Sequence, residues 1–379
     1  MIKKVLCGLL ILLVPLCGGC WNYRSLDELS LIAGIAIDRN AQSSDYHITY
    51  QTVDLTGDLQ SEGGTGKLIE SEGKTLFDAA RNAARRIIGQ LYFGHTQTVI
   101  ISDDIARNED ILNLISWLMR DAEIRETLIL FVSAEETAAD IFRYETIVSP
   151  VTALEISRNI ETDNKLTSSS VYRQLYQVYN ILHTEGIELA LPVLTNVVNN
   201  GELTVELFGS AVFKEHKLVG YLTPAESKYF LLAINEVEGG ILTFPSEGSG
   251  PDYVSLEIKK NTTKTSFTNK DGKLKIRVEI EMDTSFAERM HDLHKAGAQQ
   301  YVSLENTAAQ ILANRVSETI KKVQTEYGSD IFGFGSLICK NNNVLWKQLR
   351  DNWDTLFPSL DVEVLAKVNI VNSASMKIE

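Results

Sequence analysis

Hydrophobic and polar positions along this chain follow two different periods, and the mixture predicts both strands and helices. Short apolar runs and two-residue alternation are typical of strands, whereas apolar positions three and four residues apart are typical of helices. Strands are therefore predicted at 29–38, 46–53, 95–102, 127–133, 189–198, 203–213, 217–221, 253–264, 273–282 and 362–371. Helices are predicted at 75–88, 105–119, 135–144, 169–183, 223–235, 301–327, 329–339 and 344–352. This order predicts a multi-domain α+β or mixed α/β fold, with mixed sheets and flanking helices.

Composition shifts divide this pattern into four segments. The Gly/Ser/Glu-rich stretch 57–73 is predicted as a mobile loop, and the Gly/Pro-rich stretch 236–251 is predicted as a linker. The predicted segments are a signal peptide, an N-terminal α/β domain, a middle β/α segment or small domain that ends in the linker, and a C-terminal α/β domain with a long helix. Their bounds are 1–19, 20–200, 201–251 and 252–379.

The start of the chain has the layout of a lipoprotein signal peptide. The apolar run from Val5 to Leu16 follows two lysines, and it is shorter than the roughly 20 residues that a membrane span needs. The segment 16–20, Leu-Cys-Gly-Gly-Cys, resembles a lipobox, although Cys17 stands where leucine is usual. Cys20 is therefore the predicted lipidation site, as an S-diacylglycerol cysteine. Whether its amino group is also acylated stays open. An ordinary secretory signal cut nearby remains the alternative.

Charge and cysteine content favour this covalent anchor. The formal net charge is −14, and removal of Lys3 and Lys4 leaves 34 basic against 50 acidic residues, a net charge of −16. Such a chain is repelled by anionic lipid headgroups and by nucleic acid, so we expect no nucleic-acid partner. With Cys20 lipidated and the signal peptide removed, Cys339 is the remaining thiol, and no internal disulfide is expected.

Candidate catalytic and ligand motifs are incomplete. Gly73-Lys74-Thr75 resembles the end of a phosphate-binding loop, but Leu68 stands where the earlier glycine is required. His291 and His294, with Glu288 nearby, lack the His-Glu-x-x-His spacing of zinc enzymes. Cys339 has an apolar context that suits a buried structural thiol. We therefore predict no catalytic residue, no metal site and no cofactor.

Three tyrosines form a stripe on the predicted helix 169–183. Tyr172, Tyr176 and Tyr179 lie beside a stripe of apolar residues. Tyrosines next to a core face usually pack against it, and such a stripe can also contact a partner. The stripe is kept as a candidate partner surface.

Motifs spread over nearly the whole chain form one family-like pattern. They occur in order and at matching intervals, which makes the resemblance more specific than any single motif. At the start, Asn22 and Ser25 replace acidic residues that the family pattern would have. The motifs are Cys20-Trp21-Asn22-Tyr23-Arg24, Gly34-Ile35-Ala36-Ile37-Asp38, Glu72-Gly73-Lys74-Thr75-Leu76-Phe77-Asp78-Ala79, Leu91-Tyr92-Phe93-Gly94-His95, Arg120-Asp121-Ala122-Glu123-Ile124-Arg125, Leu191-Pro192-Val193, Ala211-Val212-Phe213, Leu218-Val219-Gly220, Asp330-Ile331-Phe332-Gly333-Phe334-Gly335, Asn352-Trp353-Asp354 and Phe357-Pro358.

Together these motifs resemble the Ger(x)C lipoproteins, and the resemblance implies a specific function. Ger(x)C proteins are the C subunits of nutrient germinant receptors in endospore-forming bacteria, with a three-domain mixed α/β architecture and no established enzymatic activity. The resemblance implies that this chain is a non-catalytic subunit that is lipid-anchored on the outer face of the spore inner membrane. It would trigger germination together with membrane subunits A and B. Because the sequence shows no cluster of convergent polar residues, we expect no high-affinity germinant site on this chain.

Two other functions share some of these features. A lipid-anchored solute-binding protein of a transporter has the same signal, anchor and α/β content, and it would have a polar ligand cleft between two lobes. A cell-wall enzyme acting on the spore cortex would instead need a pair of catalytic carboxylates. The many acidic residues of this chain do not single out such a pair.

Overall fold

Two β-sheets carry the fold. The computed structural model describes residues 29–53, 66–87, 89–144, 147–245, 253–289 and 298–372. Cys20, the predicted signal peptide and the pair His291 and His294 lie outside these residues. Within the described ranges, no helix has the length and apolar character needed to cross a membrane.

The first sheet has nine strands in the order β3-β2-β1-β5-β6-β7-β8-β9, and β4 pairs with the start of β1. Its four central strands, β1, β5, β6 and β7, are parallel, whereas the pairs toward both edges are antiparallel. The strands are β1 Leu29–Arg39, β2 Tyr46–Val53, β3 Gly66–Gly73, β4 Gln90–Tyr92, β5 Thr98–Ile101, β6 Ile129–Ser133, β7 Ala190–Asn199, β8 Glu202–Lys214 and β9 Lys217–Leu222.

Helices cover both faces of this sheet. One face packs against α1 Leu76–Asn82, α2 Asp103–Asn108, α3 Ile111–Arg120 and α6 Leu175–Leu182. The other face packs against α4 Asp140–Arg143 and α5 Thr152–Leu166. Every residue of β5 and β6 is buried, as expected for parallel strands between two helical layers. The first sheet therefore has two cores, one on each face.

The second sheet has four strands in the order β10-β11-β12-β13. The strands are β10 Ile241–Pro245, β11 Tyr253–Lys270, β12 Lys273–Arg289 and β13 Asp361–Asn372. The first three are antiparallel, and β13 runs parallel to β12. A parallel pair needs a long crossover, which here contains the helix α8 Ala298–Lys322.

Helices α7 Pro224–Ala233 and α8 share the core of the second sheet. The apolar stripe Leu304, Ala308, Leu312, Val316 and Ile320 of α8 is buried, as its spacing predicts. Three short helices follow, α9 Phe334–Asn341, α10 Asn343–Leu349 and α11 Trp353–Leu356. A π-turn covers Val323–Tyr327, and 3₁₀ turns cover Ala83–Arg85, Phe93–His95, Arg350–Asn352 and Phe357–Ser359.

The predicted mixed sheets with flanking helices are confirmed, as are two helix starts. Thr75 accepts a hydrogen bond from the backbone N–H of Asp78. Thr223 and Glu226 form a reciprocal capping box, and Pro224 occupies the first turn of α7. These caps satisfy N–H groups that a helix start leaves without a partner in the helix.

Several predicted bounds are wrong. Residues 66–73, predicted as loop, form the edge strand β3, which pairs along its whole length with β2. The predicted helix 105–119 is two helices, because Ser102 and Asp110 each cap a separate start. The predicted helix 169–183 begins only at Leu175, and α5 was not predicted at all.

Residues 201–251, predicted as a middle segment, contribute to both sheets. β8 and β9 extend the first sheet, while α7 and β10 join the core of the second. The boundary predicted at residue 200 falls in the turn between β7 and β8, where Asn200 and Gly201 both have positive φ angles. Asn-Gly is the preferred pair for such a hairpin turn, which explains why the chain reverses within one sheet here.

Candidate functional site

Several family-like motifs meet where the first sheet contacts the second half of the chain. We call this contact the junction. On the side of the first sheet it includes residues 185–188 and 213–221, and on the other side it includes residues 327–336 with Trp346 and Trp353. Five hydrogen bonds cross it. They are Glu188 N to Asp330 O at 3.0 Å, Ser336 N to Gly186 O at 2.7 Å, Trp346 Nε1 to Glu185 Oε2 at 2.7 Å, Ser329 Oγ to Phe213 O at 2.5 Å, and Tyr327 Oη to Tyr221 O at 2.8 Å.

Asp330 organises one side of the junction from a fully buried position. Its carboxylate accepts hydrogen bonds from the N–H groups of Phe334 at 3.1 Å and Gly335 at 2.8 Å, and from the indole of Trp353 at 3.1 Å. Burial raises the pKa of Asp330 to about 6, although these hydrogen bonds oppose the increase. The carboxylate therefore fixes the start of α9 and the position of Trp353.

Two glycines of the first sheet's side allow close approach across the junction, one to a backbone and one to an aromatic ring. A Cβ atom at Gly186, whose φ is +74°, would lie 2.5 Å from the carbonyl carbon of Gly335. A Cβ atom at Gly220 would lie 2.2 Å from the ring of Tyr327. Larger residues at these two positions would push the two halves apart.

Glu188 is a second acid at the junction, and it is half-buried. Its side chain accepts a hydrogen bond from the N–H of Glu215 at 3.2 Å. Burial raises the pKa of Glu188 to about 7; nearby Asp354 and Asp330 add to the increase, and Lys214 opposes it. The protonation of Glu188 is therefore coupled to the packing of the junction.

A groove of about 460 Å³ opens at one end of the junction. Among the described residues, three charged ones line it, namely Arg173, Glu236 and Lys340. Arg173 is buried, and its Nη1 donates to Glu236 Oε2 at 2.5 Å and to the carbonyl of Tyr172 at 3.0 Å. The Nε of Arg173 is buried and has no hydrogen-bond partner among the residues that the structure describes.

The structure does not bring the candidate residues of the sequence together. Cys20, His291 and His294 lie outside the described residues. Glu288, in β12, is exposed. Gly73-Lys74-Thr75 joins β3 to α1, a helix of seven residues. Among the described residues, no group of three or more histidine, cysteine or acidic side chains is placed to hold a metal ion.

Cys339 and the tyrosine stripe have mixed surroundings. Cys339 is half-buried and packs against the core of the second sheet. Tyr176 and Tyr179 lie on α6 and are 40% and 37% exposed, whereas Tyr172 lies in the extended segment before that helix. Two of the three tyrosines thus remain available for a partner.

Comparison with protein families identifies the chain. Residues 22–196 match a model described as "Spore germination protein N-terminal domain", and residues 208–374 match one described as "Spore germination B3/ GerAC like, C-terminal". Together the two models cover most of the sequence. The chain belongs to the GerAC-like family of spore germination proteins. The resemblance to the Ger(x)C family is therefore confirmed.

Individual GerAC-like proteins match over almost their whole length. Spore germination protein KC of Bacillus subtilis (strain 168) is 24% identical, with 98% of this chain and 96% of that protein covered. Spore germination protein B3 of the same organism is 23% identical, with 95% of both chains covered. The crystal structure of the GerBC protein covers 92% of this chain and 100% of that one, at 20% identity and a TM-score of 0.58, which shows the shared fold.

The structure explains several family-like motifs by packing. Asp38, at the end of the motif that starts with Gly34, accepts hydrogen bonds from the N–H groups of Ala138 at 2.6 Å and Ala139 at 3.1 Å. A Cβ atom at Gly34 would lie 2.5 Å from that of Ala153. Neither the hydrogen bonds of Asp38 nor the groove at Arg173 can be read from the sequence, because the partners are far away along the chain.

Proposed function

We propose that the chain is the non-catalytic, lipid-anchored C subunit of a spore nutrient germinant receptor. In this proposal, lipid on Cys20 holds it to the outer face of the spore inner membrane, where it acts with membrane subunits A and B to trigger germination. The observation that carries the proposal is the match of nearly the whole chain to spore germination proteins.

The position of Cys20 supports a role close to a membrane surface. Eight residues, 21–28, lie between Cys20 and Leu29, where the first sheet begins. Even when fully extended, such a segment spans only roughly 30 Å. A lipid on Cys20 would therefore hold the start of β1 within about that distance of the bilayer.

The two acids of the junction support a structural role rather than catalysis. Asp330 and Glu188, whose pKa values are raised by burial, both accept hydrogen bonds from backbone N–H groups at the junction. These hydrogen bonds connect separate segments of the folded chain, which is what a structural role requires.

Surface contacts are the proposed means of action. Apolar side chains are exposed at Phe77, Ile147, Val148, Val198 and Val344. Tethering this chain to the membrane that contains its partners raises its effective concentration near them, so that modest contacts suffice for binding.

Affinity purification from spore membranes tests the proposal. A tagged full-length chain, extracted in mild detergent after crosslinking, is expected to retain two membrane proteins with the properties of subunits A and B. An unrelated tagged lipoprotein from the same membrane is the control. Recovery of this chain without any membrane partner that the control lacks would contradict the proposal.

A further inference from the structure

The groove at the junction collects side chains from distant parts of the chain. Arg173 precedes α6, Glu236 follows α7, Thr265 lies on β11 and Lys340 lies on α9. Its volume of about 460 Å³ is in the range of small-molecule sites, which combine apolar walls with a few placed polar groups.

Arg173 is the buried charge in this groove. It is only 7% exposed, and its Nη1 already serves Glu236 and the carbonyl of Tyr172. Its Nε donor is buried and has no hydrogen-bond partner among the described residues. Burying a donor of a charged group without an acceptor costs free energy. The side chain of Glu236 is 41% exposed, so that water weakens its interaction with the guanidinium. The guanidinium therefore has capacity for a second acceptor.

The charge of the groove favours an anion. Arg173 and Lys340 are two cations, and Glu236 is the one acid among the described lining residues. This local excess of positive charge stands out in a chain whose net charge is −14. A low-dielectric groove strengthens the attraction that such an excess exerts on an anion.

The other walls of the groove are partly apolar. Ile181, Ile187 and Phe332 line it together with the polar groups of Gln177 and Ser336. An occupant with one charged end and a hydrocarbon part would match both kinds of wall. A planar carboxylate also fits the planar donor fork of arginine better than an anion that acts as a point charge does.

We propose that this groove binds a small monocarboxylate with a short hydrocarbon tail. Arg173 and Lys340 hold the carboxylate, and the tail lies against Ile181 and Ile187. The inference revises the expectation that this chain lacks a small-molecule site, because the fold assembles polar groups that the sequence leaves far apart. It does not depend on the proposed receptor role.

Calorimetry on the full-length protein in detergent micelles tests the proposal. The probe is isovalerate, and its neutral amide, isovaleramide, has nearly the same shape. We expect isovalerate to bind with a dissociation constant below about 1 mM, and the amide to bind at least about tenfold more weakly. Absence of isovalerate binding at about 10 mM, or equal binding of the two probes, would overturn the proposal.

Matched variants locate the bound carboxylate. Arg173→Gln is expected to weaken isovalerate binding about tenfold or more, and Lys340→Gln by about threefold or more. Lys347→Gln, at an exposed position on α10 outside the groove, should leave the affinity within about twofold. If Arg173→Gln does not fold, the exposed Lys340→Gln decides the outcome. Unchanged affinity in Lys340→Gln and in any folded Arg173→Gln would assign the binding elsewhere and refute the site.

Discussion

Asp330 illustrates, at the scale of single residues, how one carboxylate positions several elements. It accepts hydrogen bonds from two backbone N–H groups at the start of α9 and from the indole of Trp353, and it is fully buried. Its removal would leave three donors without their acceptor in a site that water does not reach. An unsatisfied buried donor costs about 1–3 kcal/mol.

We therefore expect Asp330→Ala to lower the free energy of unfolding by about 3 kcal/mol or more. Urea unfolding at pH 7.5 measures the change. Asp351→Ala is the matched control, because the side chain of Asp351 is 80% exposed and should contribute less than about 0.5 kcal/mol. Equal stability of the two variants would show that Asp330 does not organise the junction.

Glu188 makes stability depend on pH. Burial raises its pKa from about 4.5 to about 7, so between these values the folded state binds the proton more tightly than the unfolded state. Its contribution is thus greatest below pH 4.5, declines as pH rises through this window and levels off above pH 7. Because glutamine keeps an oxygen acceptor for Glu215 N–H, Glu188→Gln is expected to lack this decline.

Urea unfolding of wild type and Glu188→Gln at pH 5, 6, 7 and 8 measures the effect. The stability of the variant relative to wild type should increase from pH 5 to pH 7 and then stay constant. Glu279→Gln, at an exposed position on β12, should stay within about 0.5 kcal/mol of wild type throughout. A constant difference between Glu188→Gln and wild type at all four values would contradict the account.

At the scale of elements, strong local signals made much of the fold predictable. β1, β2, β8 and β9 have clear apolar patterns, and their predicted bounds agree with the structure to within a few residues. α7 has a threonine cap, a proline in the first turn and a glutamate that completes the capping box. In each case the residues that define the element lie within it.

Elements without a continuous apolar pattern of their own could not be predicted in this way. α5 buries Glu155, whose carboxylate accepts hydrogen bonds from the N–H groups of Ile147, Val148 and Ser149, and such buried polar residues interrupt an apolar stripe. β3 is rich in polar residues and becomes a strand through its pairing with β2. The groove could not be predicted either, since its charged residues come from separate parts of the chain.

Substitution of Gly209 tests how closely β8 packs against the end of β9. Its φ is +94°, and a Cβ atom there would lie 2.1 Å from the carbonyl oxygen of Leu222. Gly201 has a similar φ of +87° with no atom within 4 Å of the corresponding position. Gly209→Ala and Gly201→Ala therefore share the backbone strain, while only the first adds a steric clash.

We expect Gly201→Ala to cost about 1 kcal/mol and Gly209→Ala to cost at least about 2 kcal/mol more. Thermal and urea unfolding of both variants give the comparison. Equal losses of stability would mean that the approach of β8 to the end of β9 is looser than the structure shows.

At the scale of the whole molecule, charge and anchor act together. The acidic chain is repelled by anionic membrane surfaces, so the proposed lipid on Cys20 is expected to supply the attachment. In cells without the A and B subunits, the membrane fraction should contain the wild-type chain, whereas Cys20→Ala should be folded and found in the soluble fraction. Retention of Cys20→Ala on membranes washed with high salt would contradict the anchor.

Germination of spores that lack the gene of this chain is the decisive test of its role in a germinant receptor. The assay follows the loss of optical density after addition of single nutrients, in a strain without paralogous receptors. We expect the deletion to abolish the response to the nutrients of this receptor, wild-type chain to restore it, and Cys20→Ala to restore it only in part. Unchanged germination of the deletion strain with every nutrient would contradict the account.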